Sequence, residues 1–183
     1  MTKRYNNANE AYEAVLDEIL QHGIDFGDTK AIFNCGFYID NPSDKYITNL
    51  ERNWSKNYAS AEWYWYLSGD PSVDKLAELY GKVPPIWQRM ADSRGEVNSN
   101  YGYQWQRNNQ IDYVVAKLRE SKDTRHAAIS IYDAKEHDKY SKDTPCTYAI
   151  QFSIINNKLC TVSYTHLRAH ETGRNLVCRL LLE

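Results

Sequence analysis

The sequence predicts an α+β fold in which helices cover a mixed sheet, and three observations carry that prediction. Apolar residues recur every three or four positions in several long segments, the spacing of helices that bury one face. They alternate cleanly over 146–155, CTYAIQFSII, as in a strand. Gly, Pro and Asn punctuate the chain between these segments, and no repeat or low-complexity stretch interrupts them. A chain of 183 residues, 42% apolar and 25% charged, is long enough for one domain with a substantial core.

Residues 8–22 read as a helix, with Tyr12, Val15, Leu16, Ile19 and Leu20 on its apolar face and Gly23 as its stop. Residues 31–39, AIFNCGFYI, read as a strand that Asn41-Pro42 ends. A long helix is predicted over 47–67, with Ile47, Leu50, Trp54, Tyr58, Ala61 and Trp65 in one stripe. Ser68-Gly69-Asp70-Pro71 breaks it. Short helices follow at 72–80 and 85–91, the second opened by Pro84-Pro85. Residues 92–104, rich in Gly, Asn and Ser, read as a loop. Residues 105–120 read as a helix with Ile111, Val114, Val115 and Leu118 on one face. Residues 127–132, AAISIY, read as a strand, and a polar loop runs from Ala134 to Pro145. After the 146–155 strand, Asn156-Asn157 makes a hairpin turn and a return strand begins at Leu159.

Composition excludes some function classes. Net charge is −2, and without a basic block or stripe there is no footprint for nucleic acid. A few placed cations still suffice for a phosphorylated small molecule. No apolar run approaches the ~20 residues that span a bilayer. The polar start MTKRYNNANEAYEAV lacks a signal-peptide core, so the cytoplasm is the expected compartment, with no membrane partner. Cys35, Cys146, Cys160 and Cys178 lie far apart without a CxxC pair, so free thiols are expected and no metal site. The 15 Tyr and 5 Trp suit either a core that lines a pocket or simply an aromatic core.

The last 22 residues, VSYTHLRAHETGRNLVCRLLLE, break with the preceding pattern. Read back into codons, Val162–Thr172 resembles a sequencing-adapter string. Gly173–Asn175 falls where index bases would lie, and Leu176–Glu183 matches the adapter's far end. The expectation is a domain over 1–161 and a non-native tail over 162–183, set aside from functional argument. Without the tail's three Arg and two Glu the net charge becomes −3, and Cys178, His166 and His170 leave any site.

Cys146 opens a strand just after a polar loop and Pro145, where a thiol can face a cleft or be a buried hydrophobe. A free thiol is mostly protonated at neutral pH and needs a nearby cation or donor to become a nucleophile. Cys35 and Cys160 sit within strands and read as structural. Glu62, among Trp63, Tyr64 and Trp65, is either an exposed helix residue or a pocket acid. Arg125 and His126 precede a strand and could hold an anion or be surface cations. The loop Asn98-Ser99-Asn100-Tyr101-Gly102 offers amides and hydroxyls for polar recognition.

Taken in order, these segments resemble the thymidylate synthase family, which includes phage deoxycytidylate hydroxymethylases. YASAEWYWYLSGD (58–70) resembles the helix with the family's active-site glutamate, and PPIWQRMAD (84–92) the segment with a pocket tryptophan. GEVNSNYGYQW (95–105) is similar to the loop with a catalytic tyrosine. DTRHAAISIY (123–132) is similar to the segment reaching a partner subunit's phosphate site, and DTPCTYAIQF (143–152) to the nucleophile strand. The resemblance covers nearly all of residues 30–160. It implies a thymidylate-synthase-like fold, incomplete at the C-terminus, in which Cys146 adds to C6 of a deoxypyrimidine monophosphate. C5 then takes a one-carbon unit from 5,10-methylenetetrahydrofolate. In this resemblance Glu62 and Trp87 serve both catalysis and the folate, and Tyr101 joins proton transfer. Arg125, His126, Asn100 and Gln151 bind substrate, with Arg125 acting across an obligate homodimer.

The chain departs from the family's pattern in several places. His126 stands where a second arginine is usual, Thr147 where many synthases have histidine, and Met90 where many have a second tryptophan. Lys30 is the only basic residue in the Gly23–Lys30 loop, which normally offers an arginine. The adapter-like tail occupies the place of the next phosphate-binding element. The leading expectation is conversion of dUMP to dTMP. The alternatives are a dCMP or dUMP hydroxymethylase, of phage or bacterial style, and an inactive nucleotide-binding or dimerising fragment. By itself the 183-residue chain is expected to be inactive.

Overall fold

The structure is a computed structural model that describes residues 2–27, 29–33, 35–137, 142–165 and 176–177. Asn34 of the expected 31–39 strand, the middle of the 134–145 loop, and the tail residues His166, His170 and Cys178 lie outside the described residues. The chain forms two compact units, the first from residues 1–55 and 165–182, the second centred on residues 56–164.

In the first unit, strand β1 (Lys3–Tyr5) precedes helix α1 (Ala8–His22). The Asn7 side chain accepts the Glu10 N–H at 2.9 Å, and the Glu10 carboxylate accepts the Asn6 N–H at 2.8 Å, a reciprocal cap. Ala11, Val15 and Ile19 are buried while Leu20 is 58% exposed, so the apolar face lies one position round from the expected stripe. The helix ends at Gly23, where the backbone turns extended while its N–H still bonds the Ile19 carbonyl, an approach that a Cβ would obstruct.

Strands β2 (Ile24–Phe26) and β3 (Thr29–Ala31) pair antiparallel, and β4 (Phe37–Ile39) lies parallel to β1. The expected 31–39 strand is therefore two pieces, because its ends find different partner strands. The expected 47–67 helix also begins late. A 3-10 turn over Leu50–Arg52 is closed by left-handed Asn53 (φ 50°), which stops a continuous helix and leaves Leu50 92% exposed.

The second unit holds every candidate site residue. Helices α2 (Lys56–Ser68), α3 (Val73–Tyr80) and α4 (Pro85–Met90) surround one core of Ala61, Trp65, Val73, Leu76 and Val97. Helix α5 (Tyr101–Gln106) falls inside and just after the expected 92–104 loop. Two consecutive left-handed residues, Asn108 and Asn109 (φ 57° and 56°), separate it from α6 (Gln110–Glu120). The expected 105–120 helix thus splits, and only Val114 of its predicted face is fully buried.

Strand β5 (Ala128–Ser130), short helix α7 (Ala134–His137) and strands β6 (Thr147–Ile155) and β7 (Lys158–Thr165) complete the unit. The sheet order is β5-β6-β7, with Ile129 opposite Ile150 in the antiparallel β5–β6 pair. Asn156 and Asn157 both take positive φ (52° and 59°), the geometry of a two-residue hairpin turn. Val114, Ala127, Ile129 and Ile131 form the second core, with Ile150 and Phe152 packed against it. Pairing through the backbone carries β7 past residue 161 to Thr165. In the first unit Leu176–Val177 (β8) lies parallel to β3.

Candidate active site

Helix α2 builds the first half of the site. Tyr58 and Glu62 stand one turn apart, where i and i+4 side chains meet. The Tyr58 hydroxyl donates to Glu62 Oε1 at 2.6 Å, and Trp87 Nε1–H donates to Tyr58 Oη at 2.7 Å. Two residues singled out in the sequence, Glu62 and Trp87, are thereby joined through a third that was read only as part of an apolar stripe. Burial raises the Tyr58 pKa, and the adjacent Glu62 charge raises it further. The phenol therefore stays protonated and remains a donor at neutral pH. Tyr66 is raised in the same way, first by burial and then by Glu62.

Helix α5 and the start of β6 build the second half. Tyr101 Oη accepts the backbone N–H of Cys146 at 3.0 Å and that of Thr147 at 3.4 Å. Burial raises the Tyr101 pKa, and the neighbouring Cys146 adds to that effect. Cys146 is half-buried, and Cys35, Cys146 and Cys160 are free thiols.

Aromatic contacts join the halves. Trp87 meets Trp65 edge-on at 5.4 Å, and Trp65 stacks on Tyr66 at 5.7 Å. Tyr66 meets Tyr101 edge-on at 5.6 Å, and Tyr101 stacks on Trp105 at 6.3 Å. Gly102 lies directly against the Tyr66 carbonyl, which leaves no room for a Cβ.

The remaining candidates are not gathered there. Asn100 is 0% exposed. Its Oδ1 accepts the Tyr103 N–H at 2.8 Å as the α5 cap, and its Nδ2 donates to the Asp70 carbonyl at 3.0 Å and the Trp65 carbonyl at 3.4 Å. These bonds hold the loop. Gln151 sits mid-strand opposite Ala128, about 17 Å along the chain from Cys146 at strand rise. Arg125 and His126 are exposed on the segment before β5, where the His126 N–H donates to Thr124 Oγ1 at 3.1 Å. Lys30 belongs to the first unit and pairs with Asp25 at 3.5 Å. Met90 packs against the first core.

Sequence reasoning missed Tyr58, Arg107 and Asp143 as site or support residues, and took Ser99 only as one polar group of the 98–102 loop. The four-residue spacing of Tyr58 and Glu62 was a usable signal. The Arg107 link was not legible: its side chain, 9% exposed, reaches Asp133 at 3.3 Å and the Ile131 carbonyl at 3.0 Å, partners 26 and 24 residues away in the chain. Among the described residues, no group of three or more His, Cys, Asp or Glu is placed to hold a metal ion. No helix among them is long and apolar enough to cross a membrane.

A cysteine held against a buried phenol, in one unit with a carboxylate coupled to an indole and joined to it by a run of aromatic contacts, offers the groups that covalent and proton-transfer chemistry uses. The family model for thymidylate synthase matches residues 10–173. The chain belongs to the thymidylate synthase family. It is 33% identical over 112 residues to the deoxycytidylate 5-hydroxymethyltransferases of Enterobacteria phages T4 and T2. Those matches cover 57% of this chain and 44% of the relatives, so the chain spans less than half the length of these curated relatives.

Among solved structures, thermostable thymidylate synthase A from Bacillus subtilis matches with a TM-score of 0.57 and 19% identity, over 86% of this chain and 63% of that one. The T4 phage thymidylate synthase matches with a TM-score of 0.49 and 24% identity, over 60% and 43%. The Bacillus likeness supports the α+β fold.

Proposed function

We propose that this chain carries the nucleophile half of an enzyme that transfers a one-carbon unit to C5 of a deoxypyrimidine monophosphate. The observation that supports this reading most is the hydrogen bond from the Cys146 N–H to Tyr101 Oη, which joins two residues that the family resemblance singles out. Cys146 Sγ bonds to C6 of the ring, and the electron pair of the C5–C6 double bond moves to C5. C5 then bonds to the one-carbon unit; loss of the C5 proton lets the carrier amine leave and gives an exocyclic methylene, and addition of hydride (from the folate) or of water to that carbon accompanies departure of the thiolate from C6 and restores the ring double bond. Tyr101 holds the backbone of Cys146 and lies in position to relay that proton. Thr147 shares the same phenol oxygen.

The residues present fit a reduced folate. Trp87 offers a flat apolar face, and Glu62, held by Tyr58, offers an acceptor for ring N–H groups. Methylenetetrahydrofolate would supply the one-carbon unit there. No resident metal is proposed. The exposure of Arg125 and His126 suits a role toward phosphate bound in the other subunit of a homodimer in a phage-infected or bacterial cytoplasm.

The reading drawn from sequence is methylation of dUMP. The similarity to phage deoxycytidylate hydroxymethyltransferases favours hydroxymethylation of dCMP as the second reading. The test incubates a full-length enzyme containing this chain with methylenetetrahydrofolate and either dUMP or dCMP. Dihydrofolate formation on dUMP supports the synthase. A hydroxymethylated product without dihydrofolate supports the second reading. Turnover that survives Cys146→Ser overturns both.

A further inference from the structure

We propose that Asp143 and Ser99 are positioning residues whose buried hydrogen bonds lock the approach to β6 onto the approach to α5 and so hold Cys146 against Tyr101. This rests on the reading of Cys146 as nucleophile. Both residues are buried, at 7% exposure each. The Ser99 N–H donates to Asp143 Oδ2 at 2.7 Å, and the Ser99 hydroxyl lies 2.8 Å from both carboxylate oxygens. The second set of bonds, from the Cys146 and Thr147 amides to Tyr101 Oη, lies a short way along the same two segments. Two segments bonded at two points cannot slide or twist independently.

The spacers between these points are stiff. Asn100, between Ser99 and Tyr101, makes hydrogen bonds to Tyr103, Asp70 and Trp65. Between Asp143 and Cys146 stand Thr144 and the buried Pro145. The proline ring fixes its own φ and restricts the residue before it. A displacement at Asp143 is therefore transmitted to Cys146 instead of being absorbed. A carboxylate suits this role because it can accept both donors of Ser99 at once, where a carboxamide has only one accepting oxygen.

The test uses the 183-residue chain and needs no turnover. Amide hydrogen exchange is followed at Cys146 and Thr147. Alkylation of Cys146 by iodoacetamide is read by peptide mass spectrometry, with Cys160 as internal reference. Asp143→Ala, which removes both Ser99 bonds, is expected to speed exchange at these two amides by at least about tenfold, with α6 amides within about twofold. The ratio of Cys146 to Cys160 alkylation shifts at least threefold, on the order expected for a moved thiol.

Ser99→Ala, which keeps the backbone bond, shows a smaller rise of about threefold at the same amides. Asp143→Asn keeps one accepting oxygen and falls between the parent and Asp143→Ala. Where Asp143→Ala does not fold, Ser99→Ala and Asp143→Asn decide. No selective rise at Cys146 and Thr147, an equal rise at every protected amide, or Asn behaving like Ala overturns the proposal. Failure of the nucleophile reading shows separately, as turnover by the full-length Cys146→Ser enzyme with the exchange pattern unchanged.

Discussion

Gly102→Ala tests the closest packing in the site. A Cβ added there would lie 2.9 Å from the Tyr66 Cα and nearer still to the Tyr66 carbonyl, inside ordinary van der Waals contact. Both obstacles are backbone of α2, which cannot rotate aside as a side-chain tip can. Helix propensity alone favours alanine over glycine by about 1 kcal/mol. Overpacking against rigid backbone costs about 1–3 kcal/mol or more, and at this depth of overlap the clash outweighs the propensity gain. The net loss is about 1–2 kcal/mol, and for a chain of this size each kcal/mol lowers Tm by about 2–4 °C, so a loss of about 2–8 °C is expected by calorimetry. Tyr101 adjoins the clash and must move with α5. A shift near 1 Å at a group contacting the nucleophile segment costs roughly a hundredfold in rate, measured as kcat/KM in the full-length enzyme. A Tm unchanged or raised, with kcat/KM intact, would refute the claim that α5 is docked backbone-to-backbone on α2.

Tyr58→Phe strips the Trp87 N–H of its acceptor and Glu62 of a donor; a stability loss of about 1–3 kcal/mol in urea titration is expected, with an altered Trp emission spectrum. Tyr101→Phe removes the acceptor of the Cys146 and Thr147 amides; kcat should fall far more than nucleotide affinity, and an equal change in both contradicts a role at the reacting atoms. Burial raises the Asp143 pKa above its unfolded value despite the Ser99 bonds, which oppose the shift. Below the ordinary carboxylate pKa of about 3.9 the carboxyl is protonated in both states, so the stability difference between the parent and Asp143→Asn is constant there. As pH rises through the elevated folded pKa the parent loses stability relative to Asp143→Asn, then levels off; a gain over that window in parallel urea titrations contradicts the sign.

Element type was legible where the pattern was local, and less so where partners were distant. Helix α1 is legible at its observed bounds from its apolar spacing and Gly23, while the cap by Asn7 and Glu10 shows only in the structure. The 47–67 helix was read too long because apolar spacing continues through Asn53, whose left-handed backbone the period cannot register. Asn108 and Asn109 hid the split before α6 in the same way. Cys146, Tyr101, Glu62 and Trp87 were singled out by their sequence blocks, and the structure brings them together in two pairs. The links within and between those pairs depend on tertiary packing. Tyr58 was visible in principle from its spacing to Glu62, but the bond between Ser99 and Asp143 joins residues 44 apart, which no periodicity relates.

The position of Tyr101 also shows where the precision of such a site resides. Helix α5 has only six residues, too few to be stable alone, since the first turn of any helix is unfavourable. Its order comes from contacts outside itself. Asn100 caps it and ties it to the end of α2, and Gly102 lets it dock on the Tyr66 carbonyl. Gln104, fully buried, donates to the Asn98 carbonyl and side chain at 2.8 Å, and Trp105 stacks on Tyr101 itself. The residues from 98 to 105 are thus committed to one another or to neighbouring elements, which leaves the Tyr101 hydroxyl few positions to occupy. A longer, self-sufficient helix would set its own axis and carry the phenol with it. A short one takes its axis from the elements around it, so the distance between Tyr101 and Cys146 is fixed by α2 and β6 together. Substitutions in α2 that never touch a ligand are therefore expected to move the chemistry as much as changes in α5.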